Sequence, residues 1–125
     1  MVPHKPRIDF HVHLAVYTHH REWVTEWMKQ AHPSGYEEYI RRYGDPGAFD
    51  EMLAAEGVDY ACVRAELSPV TTGTCTNEQV RDFCRGRQRL IPFCDVNPHI
   101  YTDPGEELRR RVEGEGFRGV KLYPT

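Results

Sequence analysis

The feature that most constrains the fold is an alternation of strand-like and helix-like segments along the chain. Four apolar segments have the composition and length of β-strands, at about residues 7–14, 58–67, 89–98 and 117–125. One helix-like segment precedes each of the last three, at about residues 48–56, 76–86 and 103–116. Strands separated by helices at this spacing predict consecutive βαβ units around one parallel sheet, so we predict an α/β fold.

Capping residues place the ends of two of these helices. Thr76 is followed three residues later by Gln79, which is the capping-box pattern, and Gly86 suits the carboxyl end of the same helix. Asp103 suits the N-cap of the next helix, with Pro104 at its first position. The boundaries are therefore predicted by local chemistry as well as by periodicity.

The segment from about residue 15 to residue 45 is an insertion after the first strand. It contains "REWVTEWMKQ" and "GYEEYIRRYG", each of which predicts a helix. Their aromatic residues recur three or four positions apart and would share a face: Trp23, Trp27, Tyr36 and Tyr39. We favour core packing for these rings over ligand stacking. Loops after barrel strands carry specificity in enzymes, so the insertion is a candidate for substrate selection.

Two architectures accept the βα alternation. An open doubly wound sheet usually carries a glycine-rich first turn for a nucleotide, whereas "HVHLAVY" follows here. A (β/α) barrel places its chemistry at the carboxyl ends of its strands, where His11 and His13 fall. A complete TIM barrel needs eight strands and about 250 residues. We therefore predict a parallel TIM-barrel type fold in which residues 1–125 form a half-barrel of about four βα units.

The first strand, "RIDFHVHL", alternates polar and apolar side chains. Strand geometry predicts that Asp9, His11 and His13 share one face. The apolar residues would share the face toward the core: Ile8, Phe10, Val12 and Leu14. Imidazoles two residues apart have roots about 6.5 to 7 Å apart and can converge on one ion. An HxH pair in an arbitrary sequence is more often surface-exposed, and the apolar flanks here count toward a metal site without deciding for one.

Composition excludes several classes of function. The 16 basic and 19 acidic residues are interspersed and form no basic stripe, so we expect no nucleic-acid partner. No apolar run approaches the ~20 residues of a membrane span, and we expect no membrane association. The first ten residues lack the apolar core of a signal peptide, which favours a cytoplasmic location. The cysteines form no CxxC pair and are predicted to be buried free thiols: Cys62, Cys75, Cys84 and Cys94.

Four segments together carry a family resemblance: "DFHVH", "SPVTTGTCTNEQVRDFCR", "LIPFCDVNP" and "GFRGVKLYPT". They resemble the amino-terminal half of the amidohydrolase superfamily, and most closely its amidohydrolase-related branch, which includes aminocarboxymuconate semialdehyde decarboxylase. The resemblance implies a divalent metal, with zinc as first choice, bound by His11 and His13. It also implies hydrolysis of a small carboxylated or cyclic substrate through a metal-activated water. The family's catalytic histidine and aspartate, on later strands, are expected beyond Thr125.

Other residues are candidates for a role around this site. Asp9 is predicted either to orient an imidazole or to make a structural hydrogen bond. Lys121 corresponds to a lysine that bridges two metals in some branches, but pairing with a substrate carboxylate or a structural partner is favoured. Arg64 and Glu66 are predicted as a buried pair, with a substrate clamp as the alternative. Asn97 would line the mouth of the barrel or cap a turn.

Several alternatives stay open at the level of sequence. Nonoxidative decarboxylation uses the same metal ligands as hydrolysis, and hydrolysis is favoured only as the broader class. A truncated, non-catalytic half-barrel that binds metal or self-associates is the other alternative, because open sheet edges call for a partner. That partner would be a second copy or a missing carboxyl-terminal half. The remaining histidines are predicted to be solvated or in loops: His4, His19, His20, His32 and His99.

Overall fold

The computed structural model describes residues 2–15 and 20–123. Within them the strands are β1 (Ile8–Val12), β2 (Tyr60–Arg64), β3 (Glu66–Ser68), β4 (Gly73–Cys75), β5 (Leu90–Asp95) and β6 (Gly119–Lys121). The helices are α1 (Glu22–Ala31), α2 (Tyr36–Gly44), α3 (Pro46–Ala55), α4 (Asn77–Cys84) and α5 (Pro104–Glu115). The fourth strand was predicted to run to Thr125; β6 ends at Lys121, and Thr125 itself lies outside the described residues.

The main sheet contains four parallel strands in the order β1-β2-β5-β6. Each strand pairs with the next one of this sheet along the chain, and helices occupy the connections, as in the first half of a TIM barrel. The sheet curls as a half-barrel. The prediction of an α/β fold with a parallel sheet is therefore confirmed.

A dry apolar core lies between this sheet and its helices. Ala61 and Val63 of β2 are fully buried, as is Cys94 of β5. They pack in one cluster with residues of β1, α3, α4 and the turn after α5, including Val12, Phe49, Leu53, Val80, Phe83 and Phe117. Burial of this apolar surface is the main force that holds the helices on the sheet.

The predicted helix ends are confirmed. The Thr76 hydroxyl accepts a hydrogen bond from the Gln79 amide at 3.1 Å, and the Gln79 side chain accepts one from the Thr76 amide at 2.7 Å. The Asp103 carboxylate caps α5 by accepting from the Glu106 amide at 2.9 Å. Gly86 has a φ of 71°, a conformation that a side chain would strain.

The second strand is shorter than predicted, because the chain turns away from the sheet at Ala65. The Ala65 amide still donates to the Phe93 carbonyl at 2.9 Å. The next residues instead form an antiparallel hairpin, β3–β4, in which Glu66 lies opposite Cys75. The sequence pattern did not predict this hairpin, and Arg64 and Glu66 consequently belong to two different strands.

Strand β1 contains a register shift. Asp9 lies opposite Ala61 and Val12 opposite Val63, so two residues, Phe10 and His11, face one residue of β2. The shift corrects the predicted faces: Val12 is buried, whereas Ile8 and Phe10 are 54% and 61% exposed. Asp9 pairs on the face of Val12 and does not share the face of the histidines. An extra residue in the strand interrupts the strict alternation on which that prediction depended.

The insertion also differs from prediction. Trp23 and Trp27 are 59% and 61% exposed, so core packing is wrong for both indoles. The tyrosines of α2 do connect to the core, because the Tyr39 ring lies 4.9 Å from that of Tyr43, which lies 5.3 Å from Phe49. The aromatic residues of the insertion therefore divide between the exposed indoles of α1 and a half-buried stack of α2 tyrosines that reaches the core at Phe49.

Two further predictions concern the whole chain. All four cysteines are buried and free, as predicted: Cys62, Cys75, Cys84 and Cys94. Across residues 2–15 and 20–123, no helix has the length and apolar character needed to span a bilayer.

Candidate metal and substrate site

The two histidines predicted as ligands converge at the carboxyl end of β1. The Nε2 atoms of His11 and His13 are 2.8 Å apart, and the ring centroids are 4.8 Å apart. Burial and the nearby Lys121 ammonium lower the pKa of His13 to about 4, although Glu66 opposes the shift. Burial and the Arg64 guanidinium also lower the pKa of His11. Both rings are therefore neutral at pH 7, which is the state in which imidazole can coordinate a metal.

Glu66 lies beside this pair. Its Oε2 is 3.2 Å from His13 Nδ1 and 2.8 Å from Lys121 Nζ, and its Oε1 accepts a hydrogen bond from the Thr72 hydroxyl. The sequence interpretation paired Glu66 with Arg64, and the structure corrects this. Lys121 makes the ion pair, because β6 brings its ammonium group to the hairpin, whereas the Arg64 guanidinium lies against Phe10 of β1 and Phe93 of β5.

Lys121 and Arg64 supply positive charge near the histidines. The Lys121 side chain is buried against Glu66, and its Nζ lies 5.1 Å from the centroid of the Tyr123 ring. Arg64 donates from Nε to the Phe10 carbonyl at 3.0 Å. Its guanidinium lies 4.8 Å from the Phe10 ring centroid and 5.3 Å from that of Phe93. Lys121 thus has the structural partner that the sequence interpretation favoured.

Asp9 and Asn97 make backbone contacts. Asp9 Oδ1 accepts a hydrogen bond from the backbone amide of His11 at 3.1 Å. Asp9 thus contacts the main chain of a candidate ligand. The side-chain Nδ2 of Asn97 donates to the Leu67 carbonyl at 2.7 Å, and its Oδ1 accepts from the backbone amide of His99 at 2.9 Å. Asn97 therefore fastens its turn to β3, in agreement with the turn-capping alternative.

Asp95 was missed by the sequence interpretation. It is 1% exposed and lies opposite Lys121 in the sheet register. Its Oδ2 accepts from the Leu67 amide at 2.9 Å, while Oδ1 has no partner among the described residues. Burial raises the pKa of this carboxyl. A signal was available, since the acid ends an apolar strand in "LIPFCDVNP" at the edge where barrels carry their chemistry.

These groups open into a cavity of about 810 Å³. Helices α1 and α2 form one wall of it with Trp23, Trp27 and Tyr39, and the opposite side is formed by β-strand residues including Arg64 and Lys121. The insertion therefore covers the histidine pair, where a substrate loop was expected.

The remaining histidines meet different outcomes. His20 lines the cavity and its pKa is lowered by burial, so the prediction of a solvated ring is wrong. His32 is stacked on Tyr39 with centroids 4.4 Å apart. His4 is exposed and pairs with Asp59 at 3.0 Å, and His99 lies in a turn, both as predicted. His19 lies outside the described residues.

Comparison with known sequences agrees with this geometry. The sequence model described as amidohydrolase matches residues 8–125, which is nearly the whole chain. The chain belongs to the amidohydrolase family. No curated protein and no solved structure matches it. Amidohydrolase membership indicates a hydrolase-type enzyme of a superfamily that generally binds a divalent metal.

The residues present fit part of such a metal site. His11 and His13 direct two nitrogens to one point, which is how two ligands of an amidohydrolase metal would be arranged. In the described residues no group of three or more His, Cys, Asp or Glu side chains is clustered as a metal cage. The described part of the chain would therefore contribute the two candidate ligands His11 and His13, whereas a catalytic zinc typically has three ligands from protein. That the family's catalytic histidine and aspartate follow Thr125 stays a prediction.

Proposed function

We propose that this chain forms the amino-terminal half of a metal-dependent hydrolase barrel in which His11 and His13 bind a divalent ion, with zinc as first choice. The observation that carries the proposal is the 2.8 Å separation of their Nε2 atoms. Two nitrogens at 2.0 to 2.1 Å from one tetrahedral ion are about 3.3 Å apart. A small rotation of one ring is enough to reach that distance.

The side chains around the pair suit a small carboxylated or cyclic substrate. Arg64 and Lys121 place two cations near the cavity, against the single carboxylate of Glu66 in its lining. The exposed indoles of Trp23 and Trp27 offer flat apolar surface to a ring and exclude water from it. A divalent ion held by His11 and His13 would act as a Lewis acid. It would polarise a substrate carbonyl and lower the pKa of bound water, which is the chemistry of hydrolysis.

Nonoxidative decarboxylation is the alternative chemistry, and the branch related to aminocarboxymuconate semialdehyde decarboxylase stays a prediction. Both reactions use the same type of metal site and differ in the acid and base groups around it. Release of acid from esters, amides or lactones would favour the hydrolase. Release of carbon dioxide from a carboxylate substrate would instead favour the decarboxylase.

The missing ligands define the partner that the proposal needs. Both edge strands of the half-barrel, β1 and β6, are unpaired on one side within the described residues. We propose that further strands pair there and supply the remaining ligands, from the rest of a longer polypeptide or from a second copy. Closing the barrel would also cover exposed side chains such as Phe10 and Leu122.

The test is zinc titration of the metal-stripped protein, read by competition with a chromogenic chelator. We expect saturable binding that His11→Ala and His13→Ala each weaken by more than about tenfold, since even an outer partner of a metal ligand is worth that much. His99→Ala is the matched control, because it removes a turn imidazole away from the pair. Equal zinc affinity in all four proteins would overturn the metal site.

A further inference from the structure

Glu66 connects three parts of the candidate site. Its carboxylate is almost fully buried and contacts His13 after β1, Lys121 on β6 and Thr72 in the β3–β4 turn. The two long-range partners are more than fifty residues away along the chain. A buried carboxylate with contacts from three separate elements has little freedom to move, so its position is fixed relative to the histidines.

The contact with His13 determines where the proton of this imidazole lies. An ionised carboxylate only accepts hydrogen bonds, so His13 Nδ1 must be the donor toward Glu66. A neutral ring with its proton on Nδ1 keeps a lone pair on Nε2, the atom that lies 2.8 Å from His11 Nε2. Carboxylates that accept from a histidine in this way fix the tautomer and ring orientation of metal ligands.

The contact with Lys121 pairs the carboxylate of Glu66 with a cation. The two groups are 2.8 Å apart and both are buried, which favours the ion pair over two unpaired charges. A carboxylated Lys121 that bridged two metals would bring a second anion against Glu66 in this buried position. The ion pair therefore favours a single-metal site over a bridged one.

The hairpin extends this arrangement to the wall of the cavity. The Thr72 hydroxyl donates to Glu66, and the Thr72 carbonyl accepts from the Arg21 amide at 2.9 Å. The neighbouring Thr71 carbonyl accepts from the Trp23 indole at 2.9 Å. The β3–β4 turn thus holds helix α1 and the carboxylate of Glu66 in one frame.

We propose that Glu66 is a positioning residue that holds His13 in the Nδ1-protonated form, with Nε2 directed to the metal. This inference rests on the proposed function, but the tautomer it assigns is a property of the metal-free protein. It assigns a role to a hairpin that lies outside the parallel sheet and that the sequence pattern did not predict.

The test uses ¹⁵N-labelled, metal-stripped protein at pH 7.5 and records the two-bond ¹H–¹⁵N correlations of the His13 ring. We expect the Nδ1-protonated tautomer in the wild type. Glu66→Gln retains the shape but can turn an amide donor toward His13, so the ring should shift toward the Nε2-protonated tautomer. Zinc affinity should fall about 10- to 100-fold in this variant.

Two further variants keep the test decisive. Glu66→Gln leaves Lys121 without its partner, so the double variant Glu66→Gln/Lys121→Met removes both charges and should show the same tautomer shift in a more stable protein. Glu78→Gln is the matched control, because it removes a carboxylate of α4 that pairs with Arg111. A residue that served only stability would lower the melting temperature without moving the His13 resonances.

The outcomes separate the two proposals. An Nε2-protonated His13 in the wild type, or a tautomer and zinc affinity unchanged by Glu66→Gln, would overturn the role of Glu66. The expected tautomers without any zinc binding would leave His13 positioned by Glu66 and would overturn the metal-dependent function alone.

Discussion

Two clusters of buried charged side chains, one around Arg111 and one around Glu66, both contain ion pairs but differ in composition and in location. On α5, Arg111 is 2% exposed and pairs with Glu78, Glu107 and Glu115 at 2.6, 2.7 and 2.8 Å. At the strand ends, Glu66 is the central residue and its contacts include an ammonium, an imidazole and a hydroxyl. The first cluster surrounds a cation with anions, whereas the second holds an anion between a cation and a neutral ring.

The difference shows how similar interactions serve unlike purposes. Two partners of Arg111 lie one turn away on its own helix, and the third joins α5 to α4, so the cluster strengthens the packing of two helices. The Glu66 cluster faces a cavity and leaves imidazole nitrogens directed to one point. Buried charge joins two helices in the first region, whereas in the second it lies beside the proposed metal site.

The largest expected effect is at Arg111. Replacing it with Met removes the buried cation from Glu107 and Glu115, which keep only the more exposed Arg110 and Arg81, and should reduce the free energy of unfolding by about 4 kcal/mol. Arg109→Met on the same helix removes exposed pairs with Glu106 and Glu113 and should leave the stability almost unchanged. Urea denaturation of both variants measures the difference. Similar losses would contradict a structural role specific to Arg111.

Lys121→Met should follow, with a loss of about 3 kcal/mol, because Glu66 then keeps a buried charge without its cation. The double variant Glu66→Gln/Lys121→Met should be more stable than the single Lys121 variant by at least about 1 kcal/mol, since the two residues are coupled. A thermodynamic cycle from urea denaturation gives this coupling directly. Strict additivity of the two substitutions would show that the pair contributes nothing.

Lowering the pH should weaken the Arg111 cluster, with a smaller loss of unfolding free energy than Arg111→Met causes. Burial raises the pKa of Glu107, but the hydrogen bonds from Arg110 and Arg111 lower it by more than burial raises it. The net pKa lies below the ordinary value of 4.5. The folded state therefore binds protons less readily than the unfolded one. This stabilisation is complete above about pH 4.5 and is lost as the pH falls through the folded-state pKa. Unfolding free energy measured against pH should fall less steeply in Arg111→Met.

The smallest effect concerns the start of α4, the helix that carries Glu78 to Arg111. Thr76→Ala removes the hydroxyl of the capping box and should cost about 1 kcal/mol. Thr76→Ser keeps the hydroxyl and should retain most of the stability. Thermal denaturation of the two variants compares them. An equal melting temperature for both would mean that the cap does not hold α4 in place for Arg111.

The two clusters also show what the sequence could predict. The capping residues Thr76 and Asp103 act within three positions, so a local pattern was sufficient to place the helices. The pairing of Arg111 with Glu107 and Glu115 follows the four-residue helical spacing. It is thus also encoded locally, although it was not among the predictions from the sequence. The contacts of Glu66 with His13 and Lys121 depend on the curl of the sheet. No local pattern encodes such contacts.

The errors have the same origin. Trp23 and Trp27 have the spacing of a packed face, but the strands they cover end in polar side chains and leave a cavity beneath them. The convergence of His11 with His13 could be predicted because His11 lies on β1 and His13 follows the strand directly, two positions further along an extended chain. Long-range partners required the fold itself.

The register shift in β1 makes the site tolerant of one kind of genetic change. Because Phe10 and His11 together face Cys62, in-frame deletion of codon 10 would let β1 pair one residue to one with β2. Val12 would stay opposite Val63, and the side chains of His11 and His13 would keep their side of the strand. Deletion of codon 12 would instead carry one of the histidines to the helix side. A one-residue deletion at position 10 would thus shorten the strand while retaining the candidate ligand pair.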